Sequence, residues 1–388
     1  MESGTILNTI NIILIIAIAQ GILITVLIFH RYSALYPNRF LGSLMLIFSL
    51  SLVHVYLEEQ GIYGPMTIGT LLPAVIFLLG PLHYLYTKYL VHQPRKFEKA
   101  EMLHLAPFVI IAGFVLMVSG GWIPQYYGSI LLEEQESGFI AINWLYVGHV
   151  LTYYALTMRE LAWYSDRIRQ VFSSIESIRL HWLRLLTYLA IAVVLIFLTE
   201  NILNLLHFNL SAFHLSTVLG AIYVYGMGYF GISRTPVFKN TVMEEVTRDL
   251  PDDYSGDKQN QVKYGRSGLS DEKAKTYAEK LAKLMKENQL YLDSNLTLQQ
   301  LAQEAGISTH YLSQIINSHF GYNFFDFVNE FRVNYVINNL INEKKKHLTI
   351  LAIGLEAGFN SKTTFNTIFK KFTGKTPSQY RSNLLQSS

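Results

Sequence analysis

The chain has 388 residues, of which 51% are hydrophobic and only 15% charged, and its mean hydropathy of +0.25 is apolar for a soluble protein. It contains no cysteine, which excludes disulfides and cysteine-based metal centres. The formal net charge of +3 hides an uneven split: 11 of the 31 Lys and Arg fall in residues 1–233 and 20 in residues 234–388, the pattern of an apolar membrane part followed by a soluble, basic part.

Seven apolar runs are long enough in helical form to cross a bilayer core: roughly 6–29, 40–57, 67–90, 103–121, 138–163, 181–207 and 209–231. The first is too long for the apolar region of a signal peptide and lacks a positive leader, so no cleaved leader is expected. With the N-terminus outside, every Lys and Arg of this half falls on an inner segment: Arg31 and Arg39, then Lys88, Arg95, Lys96 and Lys99, then Arg159, Arg167, Arg169, Arg179 and Arg184. The outer segments carry Glu2, Glu58, Glu59, Glu133, Glu134 and Glu136 instead. This partition predicts a multi-pass protein of the bacterial cytoplasmic membrane, N-terminus outside and C-terminus in the cytoplasm. Tyr84, Tyr86 and Tyr89, and on the other side Trp122, Tyr126 and Tyr127, sit where interfacial aromatics gather.

Polar residues inside the runs include His54, His83, Asn143, His149, Glu200, Asn201, Asn204 and His214. His54, Glu200, Asn204 and His214 all fall toward the outer face. They form either a pocket that senses an outside ligand, ion or proton, or interhelical hydrogen bonds that hold the bundle together. Pro73 and Pro81 are placed to kink the third run. No His-Glu-x-x-His run, nucleophile elbow or phosphate loop is present, so neither catalysis nor a bound cofactor or metal is expected.

Residues 234–292 read as a cytosolic linker: RTPVFKN, DLPDDYSGDKQNQ and KYGRSGLS are polar and punctuated by Pro and Gly. Ser270, Asp271 and Glu272 start a helix. Over 271–287, Ala274, Tyr277, Ala278, Leu281, Leu284 and Met285 share one stripe. That stripe either packs on the next domain or serves as a short homodimer contact.

The remainder, 293–388, holds two helix-turn-helix units. In the first, Thr297 and Gln300 form a capping box, Leu298, Leu301 and Ala302 are core, Gly306 turns the chain and Ser308 caps a second helix. Leu312, Ile315 and Ile316 of that helix face inward, which leaves His310, Ser313 and Gln314 on the opposite, exposed face. The second unit repeats the pattern with Ile350, Leu351 and Ala352, the turn at Gly358, the cap Ser361 and buried Phe365, Ile368, Phe369 and Phe372. Its exposed face is Thr363, Asn366 and Thr367, with Lys362, Lys370, Lys371 and Lys375 nearby. Thr376 and Pro377 open a last helix. Between the units, Gly321 to Ile341 reads as a connecting helix with Phe324, Phe327, Val328, Phe331, Tyr335 and Val336 on its apolar side. Such a rod would space two reading heads about one DNA turn apart. The lysine run at 344–346 reads as a solvated loop.

Residues 293–384 resemble the DNA-binding domain of AraC/XylS transcription regulators. The stretch GFNSKTTFNTIFKKFTGKTPSQYR carries the likeness, with Gly358, Phe359, Ser361, Phe365, Phe369, Lys370, Gly374, Pro377, Tyr380 and Arg381. The whole layout is similar to membrane-bound members of that family. The resemblance implies double-stranded DNA as partner, base contacts from His310, Ser313 and Gln314 and from Thr363, Asn366 and Thr367, and recognition helices in successive major grooves. Gln314 and Thr367 stand where many members carry arginine, which implies weaker guanine readout. The expectation is therefore an all-α chain: a seven-helix transmembrane bundle, a linker, and a cytosolic double helix-turn-helix domain that couples a signal ligand or membrane partner to DNA binding. A transporter, or a bare anchor, with a regulatory DNA-binding tail is the alternative.

Overall fold

The structure, a computed structural model, describes residues 2–32, 35–60, 72–92, 97–120, 122, 137–206, 215–234, 271–345 and 347–387. Linker residues 235–270, His214 and Lys346 lie outside the described residues, as does the side chain of Asn204. Contacts divide the chain into two compact units. One comprises residues 1–162 and 180–239, the other residues 163–179 and 240–388. Among the described residues the regular structure is helical, apart from one isolated bridge.

The first unit contains α1 (Glu2–Arg31), α2 (Tyr36–Glu59), the short α3 (Leu72–Val75), which runs through a 3-10 turn into α4 (Leu79–Val91), then α5 (Ala106–Ser119), α6 (Ser137–Val171, shared with the second unit), α7 (His181–Leu205) and α8 (Leu215–Arg234). Helix α1 packs on α2 and α8, α2 on α4, and α7 on α8. Polarity is turned inside out. Ile12, Ile15, Ile16, Leu23, Val26, Val109, Ile110, Leu116, Leu185 and Ile222 are exposed, whereas Thr25, Ser49, His83, Thr87 and Thr187 are buried. The buried hydroxyls are satisfied locally: Thr25 donates to the Gly21 carbonyl and Ser49 to the Met45 carbonyl, both at 2.8 Å. A Cβ on Gly21 would collide with the Ser49 hydroxyl, so the close approach of α1 and α2 depends on a small residue there. The His83 ring joins three helices, with Nδ1 2.6 Å from the Tyr223 hydroxyl on α8 and Nε2 3.1 Å from Thr187 Oγ1 on α7.

Among the described residues, five helices are long and apolar enough to cross a membrane: Asn11–Arg31, Tyr36–Leu57, Lys99–Val118, His181–Leu203 and Leu215–Ser233. Of the other two expected runs, the third is described from Leu72 and the fifth from Ser137. The third is broken at Ile76–Leu78 by a 3-10 turn between Pro73 and Pro81. Pro81 has no N–H to offer the carbonyl one turn earlier, which favours such a break. The fifth lies in α6, which continues eight residues past the expected end at 163 and carries Asn143 and His149 in its apolar half.

The second unit is built on α9 (Asp271–Asn288), α10 (Leu298–Ala305), α11 (Thr309–Ile315, extended by a π turn to Phe320), α12 (Phe324–Asn339), α13 (Ile350–Glu356), α14 (Lys362–Thr373) and α15 (Pro377–Ser387). Leu281 and Met285 of α9 enter one core with Leu298, Leu301, Ala302, Leu312, Ile316, Phe324, Phe327 and Val328. The linker helix therefore packs on the first helix-turn-helix unit. Val171, from the end of α6, is in the same core, with Phe172 packed against it.

At the centre stands Arg332, 1% exposed. Its Nε donates to the Tyr291 carbonyl at 2.8 Å, Nη1 to the Ser173 carbonyl at 3.0 Å and Asn329 Oδ1 at 3.3 Å, and Nη2 to Ser173 Oγ at 3.0 Å and the Asp293 carbonyl at 2.8 Å. Burial pushes its pKa down to about 10, and the charges of Glu176 and Asp293 oppose that shift, so it stays protonated at neutral pH. Gly358 passes close beside it at φ +95°. A Cβ there would lie 2.7 Å from the Tyr291 carbonyl oxygen and 2.9 Å from Arg332 Nε.

The two turn glycines should therefore differ. Gly306, at φ +69° in open space, has only the left-handed conformation to lose, about 1–2 kcal/mol on substitution by Ala. Gly358→Ala adds a backbone collision and should cost about 3 kcal/mol or more. Urea-dependent proteolysis of the full chain in detergent measures both, and equal shifts would count against this account.

Candidate nucleic-acid interface

Both helix-turn-helix units form as their caps dictate. Thr297 and Gln300 make the reciprocal capping box: Thr297 Oγ1 accepts from the Gln300 N–H at 3.3 Å, and the Gln300 side chain accepts from the Thr297 N–H at 2.8 Å. Ser308 Oγ accepts from the Tyr311 N–H and starts α11. In the second unit Thr349 caps α13 and Ser361 caps α14, each accepting an N–H at 3.1 Å. Thr376 opens α15, its N–H donating to the Gln379 side chain at 3.0 Å. Behind α14, Phe359, Phe365, Ile368 and Phe369 are buried, while Phe372 is only partly so.

The second reading face is open. Thr363 and Thr367 are exposed and Asn366 is half-buried on the side of α14 away from the phenylalanines. Lys362 stands in the first turn, and Lys370 and Lys371 in the last, all three exposed. Lys371 is not free for phosphate: its Nζ is 2.6 Å from Asp326 Oδ1 on α12. Lys345 is tied as well, 2.6 Å from Glu356 and 2.7 Å from the Tyr335 hydroxyl. Those hydrogen bonds, Glu356 first, raise its pKa.

The first reading face departs from expectation. His310 is half-buried, but Ser313 and Gln314 are 1% and 9% exposed. Residues 312–316 are all buried, and five consecutive buried residues leave no free sector on a helix with 3.6 residues per turn. Periodicity identified the apolar stripe of α11 correctly. It could not register that the opposite side, marked only by Ser and Gln, is covered too.

Of the polar residues within the apolar runs, His54 is half-buried on α2. Glu200 accepts from the Ser216 N–H at 3.2 Å and from its hydroxyl at 2.5 Å. The carboxylate thereby binds the first turn of α8, where the helix dipole favours a negative charge. Among the described residues the structure does not bring His54 and Glu200 into one cluster able to hold a metal.

Sequence reasoning missed Arg332 and Ser173. One signal for Arg332 was available. Val328, Arg332 and Val336 are spaced four apart, so the arginine occupies the buried stripe of α12. Nothing in Phe172–Ser173–Ser174 marks a partner more than 150 residues away.

Comparison with known proteins places the second unit. A family model described as a helix-turn-helix domain matches residues 301–383. The probable transcription factor PqrA of Proteus vulgaris is 31% identical over 97 residues, which is 25% of this chain and 77% of PqrA. An uncharacterized HTH-type transcriptional regulator of Staphylococcus aureus (strain COL) is 33% identical over 93 residues, 24% of this chain, and the chain spans only 12% of that protein. A solved structure of a protein of unknown function from Listeria innocua aligns with 26% of this chain and 92% of its own, at 29% identity and a TM-score of 0.23, too low to define a shared overall fold. By its C-terminal domain this chain belongs to the AraC-type helix-turn-helix transcription regulators, DNA-binding proteins rather than enzymes.

Proposed function

We propose that the chain is a membrane-embedded, one-component transcription regulator. Residues 1–233 form a seven-span sensor in the cytoplasmic membrane, 234–292 a linker, and 293–388 a double helix-turn-helix domain that binds specific DNA beneath the membrane. The observation that carries the reading is the inverted polarity of the first unit. Its outward surfaces are Ile, Leu and Val while His, Thr and Ser are inside, on the same chain as an open helix-turn-helix face. Such an arrangement is favourable in lipid and costly in water. The inner location of all 11 basic residues supports the orientation.

In this reading Thr363, Asn366 and Thr367 read base edges from α14, and Lys362 and Lys370 bind phosphate. His310, Ser313 and Gln314 contribute once α11 is uncovered. His54, Glu200, Asn204 and His214 are the sensing candidates toward the outer face, for an outside ligand or a membrane partner. A homodimer through 271–287 has less support, because Ala278, Leu281 and Met285 are already buried within their own unit. A transporter with a regulatory tail would need a continuous polar path, whereas Thr25, Ser49, Thr87 and Thr187 bond to carbonyls of their own helices and His83 to Tyr223 and Thr187.

Genome-wide mapping of DNA bound by the full chain tests the reading; no enriched sequence would overturn it. Asn366→Ala should cost about 1–3 kcal/mol at preferred sites and relax the choice at one base position. Lys362→Ala and Lys370→Ala should weaken binding to all sequences alike and lower the salt slope by about one each. Lys371→Ala should do less, since Asp326 already holds that ammonium.

Topology is testable on the cysteine-free background. A cysteine replacing Glu134 should react with a membrane-impermeant maleimide in intact cells, and one replacing Lys96 only after permeabilisation. Glu200→Gln combined with His214→Asn should alter the transcriptional response. A response unchanged under every condition would leave the bundle as an anchor.

A further inference from the structure

The segment that follows α6 is short and small-featured, yet it is built into the DNA-binding unit. Phe172 forms an antiparallel bridge with Thr297, and the Ser173 N–H donates to the Leu296 carbonyl at 3.1 Å. Ser173 then offers its carbonyl and hydroxyl to the Arg332 guanidinium, both at 3.0 Å. One residue on, Ser174 Oγ accepts from Asn360 Nδ2 at 2.7 Å and donates to Glu176 Oε2 at 2.5 Å. Arg169 adds a cation–π contact, 5.8 Å from the Phe325 ring centroid.

These contacts fall on three different elements. Leu296 and Thr297 begin the first helix-turn-helix unit, Arg332 lies on the connecting helix, and Asn360 immediately precedes Ser361, the cap of α14. A seated segment therefore ties the start of one unit to the start of the other's recognition helix. Only nine residues, 172–180, join the end of α6 to the start of α7, against 36 between the end of α8 and the start of α9. The slack of a chain grows with its length, so a shift of α6 or α7 reaches the DNA-binding unit far more directly through 172–180 than through the linker. The fold in which the segment is seated is also the one in which Ser313 and Gln314 are buried.

We propose that residues 172–176 are a releasable latch. Seated on Leu296, Arg332 and Asn360, it holds the two helix-turn-helix units in a closed, weakly DNA-binding arrangement, and movement of α6 or α7 withdraws it. This rests on the reading of the unit as DNA-binding. It replaces the linker helix with the loop between α6 and α7 as the path by which the membrane part acts.

The absence of native cysteine makes the latch addressable. Ser174→Cys with Asn360→Cys, in the full chain in detergent, places two thiols where a short bis-methanethiosulfonate can bridge them; neither variant touches the Arg332 hydrogen bonds. Sheared genomic DNA of the encoding organism is the probe, captured by the protein and sequenced before and after reductant. The expected result is efficient bridging, with capture of enriched sequences lower by about tenfold in the bridged form and restored by reductant in the same sample. Ser174→Ala with Asn360→Ala, which cannot be bridged, should capture more DNA than the wild type. Failure to bridge, or equal capture by bridged and reduced protein, overturns the latch alone. Absence of enriched DNA in every form, variants included, overturns the DNA-binding reading and the latch with it.

Discussion

A buried guanidinium is the constraint around which the C-terminal unit is arranged. Removing a charge from water costs several kcal/mol, and a buried arginine persists only where its donors are matched. Arg332 meets that condition with backbone carbonyls, a hydroxyl and an amide oxygen rather than a contacting carboxylate. Those acceptors come from Tyr291 and Asp293 in the turn after α9, from Asn329 on α12 itself, and from Ser173. One side chain on α12 thereby ties the turn after α9 to the segment after α6 while that segment is seated. Gly358 is part of the same requirement, because any side chain there would occupy the space of the Arg332–Tyr291 hydrogen bond.

This has a consequence for the domain boundary. The C-terminal domain is not continuous in sequence: Val171 fills its core and Ser173 satisfies its buried charge. A fragment beginning after the linker would leave Arg332 with two unmatched N–H groups and a gap where Val171 and Phe172 pack. Full-length protein is accordingly the meaningful object for binding studies.

The first unit has the opposite polarity, with apolar side chains outward and Thr25, Ser49, His83, Thr87 and Thr187 buried. Buried polar groups stabilise by facing one another, and His83 between Tyr223 and Thr187 does so across three helices. Glu200 binds the first turn of α8 through Ser216, where an acid compensates unpaired N–H groups and the helix dipole. That arrangement makes Glu200 a structural tie between α7 and α8.

Much of this was legible in the sequence because it is set locally. Caps at Thr297, Ser308, Ser361 and Thr376, turns at Gly306 and Gly358, and the phenylalanine stripe of α14 follow from backbone hydrogen-bond supply, steric freedom at positive φ and helical spacing. Hydropathy and loop charge marked the apolar runs for the same reason. Long-range matters were decided by tertiary structure alone. The burial of Ser313 and Gln314 depends on what covers the far side of α11, and the union of Ser173 with Arg332 joins residues 159 apart. No local propensity encodes either, because a serine carbonyl has the same chemistry wherever it occurs, and only the folded chain determines which buried charge it meets.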